Sequence, residues 1–343
     1  MKKKFVLFVA VFMLALGATV ITQTKATAAG SYHYLKTIKV GGEGRSDYAA
    51  TDEAARRLYV THDMLVIVID TDKDEVVGEI TDTPGVHGFA IAPELGLGFS
   101  SNGMESKASI VDLKMLKTTS KVDTEENPDG ILYVPGVQEV YVFNRNGEAS
   151  VTVFDAKSGK VITTIKLPGT PESAVADTKA GRVYANIDNK NEVVAIDTTY
   201  HKIVSAWPTA PGAGGSGMAI DLVNHRLFIG CDNNLMVMMD STSGKVVGTV
   251  PICEGVDATL FDPGTNLAFA PCGKLGNVTI AKTENPDKLS VVQTIETARG
   301  ARTMALDLKT HKIYVATLDY QSATSWKAVP NSFHVLVYGT DGK

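Results

Sequence analysis

DYAATD at residues 47–52, RLYVTH at 57–62 and IVIDTDKDEVVGEI at 67–80 make one unit of a pattern that recurs along most of the chain. The first segment opens a strand on a polar residue, and the second is a short β-branched and aromatic run. The third reads as strand, Asp-led turn, strand, because Asp, Ser, Gly and Lys interrupt alternating apolar positions. Counterparts of the first segment begin at Asp47, His87, Asp129, Glu172, Ser216, Asp257 and Arg302, in steps of 40, 42, 43, 44, 41 and 45 residues. Seven units of four short strands at that period predict an all-β fold, a seven-bladed β-propeller.

The seventh unit ends at FHVLVYG, residues 333–339, one strand short. An orphan strand, YHYLKTIKV at residues 32–40, precedes the first unit. It is expected to complete the last blade, close the ring and leave no unpaired blade edge. The domain plan is therefore a leader over residues 1–28 and one propeller over residues 29–343.

The leader is read from Lys2, Lys3 and Lys4, an apolar run over residues 5–20, and Ala26-Thr27-Ala28 as an A-x-A-like cleavage site. Export to the periplasm or the extracellular space is the expectation, with no later stretch long and apolar enough to span a bilayer. The formal charge is -5, and removing a leader with four Lys and no acid would take it to -9. A net acidic chain without a Lys/Arg cluster argues against nucleic acid as a partner, since that affinity comes from counterion release by basic groups. With 44% hydrophobic residues and three Cys among 343, the chain is neither disordered nor a disulfide scaffold.

The unit RLYVTH followed by IVIDTDKDEVVGEI resembles the bacterial YVTN-type β-propeller repeat. GVHGFAIAPELGLGFSSNG (85–103), GVDATLFDPG (255–264) and RGARTMALDLKTHKIYV (299–315) extend the resemblance to exported YncE-like proteins. It implies the propeller fold over all seven units. The functions of that family are mixed, so it implies no reaction, and function has to be argued from the site.

In a propeller the inner strands face a central channel. Asp47, His87, Asp129, Glu172, Ser216, Asp257 and Arg302 then share one position at its top-face mouth, with Arg302 placed to pair with Asp257 and Asp47. A second ring is expected at the ends of the second strands, from His62, Asn102, Asn144, Ile187, Cys231, Cys272 and Thr317. His62, His87 and Asp129 would suit Zn, Cu, Ni or Fe, and Asp129, Glu172, Asn102 and Asn144 would suit Ca or Mg. Hydrated, mutually bonded loop caps are the structural alternative.

Cys231, Cys253 and Cys272 all map to top-face connections. Export permits a disulfide, and Cys253 with Cys272 is the favoured pair, soft-metal thiolates being the alternative. A long connection, LDYQSATSWKAVPNS at 318–332, carries Tyr320 and Trp326 over the same face as a lid or partner contact, or as a disordered loop. Asp70, Asp72 and Asp74 mimic a calcium loop, but Glu75 stands where that loop needs Gly, so they read as a hairpin turn.

The expected function is a monomeric, non-catalytic exported propeller that binds a small ligand or protein partner through the funnel. The sequence specifies no cofactor, and a divalent metal is the open option. The alternative is a metal-dependent, lactonase-like hydrolase or lyase, with His87 or His62 as general base.

Overall fold

The computed structural model describes residues 30–341, so the expected leader lies outside the described residues. Seven four-stranded antiparallel sheets are arranged as blades. Six are sequential four-strand meanders, the first comprising Ala49–Asp52, Arg57–His62, Leu65–Asp70 and Glu75–Ile80. The seventh takes Met304–Asp307, Lys312–Thr317 and His334–Gly339 from the chain's end and His33–Lys39 from its beginning. His33 pairs with Gly339 and Lys39 with His334, so the two ends of the chain close the ring within one sheet.

Each second strand carries an aromatic at its third position: Tyr59, Phe99, Tyr141, Tyr184, Phe228, Phe269 and Tyr314, all buried. Burying each such side chain is worth roughly 2 to 3 kcal/mol. The core is seven clusters, one per blade interface. For example, Phe99 packs with Tyr133 and Phe154 of the next blade, and Tyr314 packs with Leu58 and Val60 across the closure.

Polar turns repeat as well. Asp70 Oδ1 accepts the backbone N–H groups of Asp72 and Lys73 at 3.0 and 3.1 Å, while its other oxygen takes Arg57 at 2.9 Å. Asp197 and Asp240 cap the equivalent turns with their own two N–H bonds and an arginine. Both oxygens of Asp70 are thus engaged within the hairpin.

Cys253 lies in the crossover from blade five to blade six and is bonded to Cys272 at the end of a second strand, with Cα atoms 5.6 Å apart. The bridge closes a loop of 19 residues. Cys253→Ser is expected to lower stability by about 3 kcal/mol through the entropy of the unfolded chain. Urea midpoints with and without reductant check this, and wild-type protein whose midpoint ignores reductant would contradict it. Cys231 is a buried free thiol, and burial pushes it up to about 12, which leaves it unreactive.

Candidate functional site

The inner strands of blades two to five begin at Val86, Pro128, Pro171 and Gly215, and the pairing register of each breaks within its first residues. His87, Asp129, Glu172 and Ser216 sit at these irregularities. A bulge re-aims the side chain it carries, and three of the four, Asp129, Glu172 and Ser216, line the central cavity. In blades one, six and seven the equivalent residues precede the paired part of the strand.

Polar side chains of the second strands brace this backbone. Thr61 Oγ1 accepts the Asp47 N–H at 3.0 Å and donates to the Tyr48 carbonyl at 2.9 Å. Ser101 Oγ accepts from the Gly88 N–H and donates to the Asp129 carbonyl. Asn186 Nδ2 donates to the Ser216 carbonyl at 3.0 Å. Adjacent inner strands approach so closely that a Cβ on Gly130 would stand 2.8 Å from the Glu172 carbonyl oxygen.

The ring is nearly continuous. His87 Nδ1 lies 2.8 Å from Asp47 Oδ2 and 3.8 Å from Asp129 Oδ1. Arg145 bridges Asp129 at 3.0 Å and Glu172 at 2.6 Å. Ser216 donates to Asp257 at 3.0 Å, and Arg302 holds Asp257 at 3.0 Å with Asp47 at 3.9 Å. Six of the seven ring residues line a top-face cavity of about 830 Å³; His87 stands at its edge through its bond to Asp47.

Four carboxylates face two guanidinium groups and one imidazole, and their acidities reflect the imbalance. Burial pushes Glu172 up to about 8 against the pull of Arg145, and burial likewise pushes Asp257 up to about 6 against Arg302. Asp129 is raised by burial and by Asp47, and His87 is raised by its hydrogen bond to Asp47. Tyr48 stands among them, its phenol held well above its usual range by burial and by Asp257, Asp129, Asp47 and Glu172.

Of the expected second ring, Thr317 lines the cavity and the other six do not. His62 is 5% exposed and stacks on Phe333 with ring centroids 4.0 Å apart; burial lowers its basicity. It therefore does not combine with His87 and Asp129, and the third side chain converging with those two is Asp47. Asn102 is wholly buried and bonded to Ser100, Glu105 and Ser109 within its own blade. Asn144, also wholly buried, is bonded to Ser150 and Thr152. No all-oxygen set with Asp129 and Glu172 forms from these amides.

In blades three to seven the residue after the second strand lines the cavity, as Arg145, Asp188, Asp232, Gly273 and Leu318 do. Successive side chains in a strand point to opposite faces, so a count displaced by one residue selects the wrong face. Arg145, Asp188 and Asp232 escape a reading of the sequence for this reason, and Tyr48 escapes it because the repeat marks the position of Asp47 beside it.

The long connection of blade seven folds around Arg299. The guanidinium lies 3.6 Å above the Trp326 ring and 5.3 Å from Tyr320, and it donates to the carbonyls of Ser322 and Ser325. Tyr320 and Trp326 meet edge to face at 5.0 Å, and both line the cavity. Trp326 remains half exposed.

Seven blades around a polar funnel make the protein a seven-bladed β-propeller. No family model matches the chain. Two proteins called "Uncharacterized protein YncE", from Salmonella typhimurium and Salmonella typhi, are each 26% identical over 233 residues. The match covers 63% of this chain and 64% of theirs, a little under two thirds of the relatives' length. With the seven blades, this similarity supports a YncE-like β-propeller. Hydrazine synthase from Kuenenia stuttgartiensis shares the fold at a TM-score of 0.72 and 14% identity, over 81% of this chain and 94% of that one.

Proposed function

We propose that the protein is an exported, monomeric, non-catalytic propeller whose funnel binds a small organic ligand, or a segment of a partner protein, through a cationic group. The observation that carries this reading is the excess of acid at the funnel mouth, where Asp47, Asp129, Glu172 and Asp257 face only Arg145, Arg302 and His87, and where burial pushes the Glu172 carboxyl up to about 8. Such a carboxyl sits in a site short of positive charge, and an ammonium group entering the funnel would replace the proton. Asp188 and Asp232 extend the acidic wall over blades four and five, with Tyr320 and Trp326 on the opposite rim. The basic, apolar leader and its small-residue cleavage site support export.

The test is calorimetric titration with spermidine and with a tripeptide bearing a free amino group, each against its N-acetylated form. Binding of the amines alone, weakened in Glu172→Gln, is the expected result. Equal binding of acetylated or anionic probes would sink the reading. The hydrolase alternative rests on the His87–Asp47 bond, which orients an imidazole at the cavity edge. Ester or lactone turnover that disappears in His87→Gln would favour it.

A further inference from the structure

Asp129 is 5% exposed, yet its Oδ1 has no hydrogen-bond partner among the described residues. A carboxylate oxygen in that position is costly unless something else satisfies it. Its other oxygen is taken by Arg145 at 3.0 Å, so the guanidinium fixes the carboxylate without serving Oδ1. The imidazole that Oδ1 faces is 3.8 Å away, too far for a hydrogen bond.

We infer that Asp47, His87 and Asp129 form a binding site for a divalent transition ion of the zinc class. One donor atom from each lies within 4.8 Å of the other two. Ligands of a tetrahedral zinc ion stand about 3.3 Å apart when each bond is near 2.0 Å. The 2.8 Å and 3.8 Å separations of His87 Nδ1 from Asp47 and Asp129 straddle that value. An ion seated between them satisfies Oδ1 and brings the donors to even spacing.

The surroundings are built for these donors. Thr61 holds Asp47 through its backbone N–H, and Thr303 Oγ1 donates to its carbonyl. Arg145 orients Asp129 from outside the ligand set, the kind of support that tunes metal affinity. Gly103 leaves room for the imidazole, because a Cβ there would stand 2.7 Å from His87 Nε2. One nitrogen and two carboxylate donors favour zinc, manganese or nickel over calcium, which takes more oxygen ligands. Three protein ligands leave a position for water or a ligand atom. This site goes beyond the proposed cationic ligand, since an ion can bind whether or not the funnel takes up an amine.

The experiment uses the purified protein, stripped with chelator and dialysed, titrated with Zn²⁺ by calorimetry and with Co²⁺ by visible absorption. A single equivalent and a tetrahedral Co²⁺ spectrum are expected. Asp129→Asn and His87→Gln should each weaken binding by about tenfold or more. Gly103→Ala, which keeps every donor but crowds the imidazole, should also weaken it. His311→Gln, which removes a different His–carboxylate pair at the far end of the blades, should leave it unchanged. Circular dichroism on each variant separates lost binding from lost folding. Absence of stoichiometric binding, or binding that survives in folded Asp129→Asn and His87→Gln, overturns the inference.

Discussion

Arg56→Ala is expected to lower the stability of the ring by about 3 to 5 kcal/mol, the loss typical of removing one partner from a buried ion pair. Arg56 follows the inner strand of blade one, and its guanidinium reaches back across the closure to blade seven. Its two terminal nitrogens donate to both oxygens of Asp307 at 2.9 and 2.7 Å. The Asp307 side chain is 1% exposed and that of Arg56 11%, so water cannot take the lost partner's place. Burial alone would raise the Asp307 carboxyl; hydrogen bonds from Arg56 and Thr310 hold it below its usual range instead. Removing the arginine leaves that charge with Thr310 and the Lys309 N–H alone. Because a carboxylate with a depressed value stabilises the fold above its unfolded value and loses that contribution as pH falls, the variant should also show less acid sensitivity. Urea midpoints at neutral pH give the measurement. In the double variant Arg56→Ala with Asp307→Asn, part of the loss should return, because no uncompensated charge remains. A loss below about 1 kcal/mol, the value of an exposed pair, would show that the closure does not depend on it.

That closure illustrates how the sequence carries the fold. The repeat period, the aromatic of each second strand and the orphan N-terminal strand are local signals, and the blades follow them: His33–Lys39 pairs where the open edge of blade seven required a strand. The inner ring was legible for the same reason, since Asp47, His87, Asp129, Glu172, Ser216, Asp257 and Arg302 occupy one position of a repeat. What the sequence hid is side-chain direction beyond the strands. His62 ends a strand as Thr61 penultimately does, yet Thr61 braces the funnel while His62 packs on Phe333, because neighbouring residues take opposite faces. Arg145 stands one residue beyond such a strand end and was hidden in the same way. Its bond to Asp129 stays within blade three, whereas its bond to Glu172 spans 27 positions into blade four, and no spacing within one repeat encodes that second contact.

Glu172→Gln is expected to raise stability at pH 9 by about 5 kcal/mol and to leave it unchanged near pH 4. In the folded protein this carboxyl keeps its proton to about pH 8, whereas in the unfolded chain it ionises near the ordinary glutamate value of about 4.3. Between those limits the folded state binds the extra proton, so stability falls as pH rises. The contribution is full below about pH 4 and is lost as pH passes through 8. Asp257, pushed up to about 6 chiefly by burial, acts in the same direction over a lower window. Depressed groups act oppositely: Asp197, held down first by the Tyr200 N–H, contributes stability that is lost as pH falls. The wild-type profile should therefore peak on the acid side of neutrality. Glutamine fills nearly the same volume without a charge to bury, and Arg145 keeps its bond to Asp129, so the substitution orphans no cation. Thermal midpoints from pH 4 to 9 for the two proteins should converge at the acid end and diverge steadily above pH 5. Parallel profiles would mean that Glu172 is ionised throughout and that the funnel already has its counter-charge. Divergence together with weakened amine binding would show one carboxylate destabilising the free protein and serving the ligand, the conflict expected where a site is shaped by binding rather than by folding.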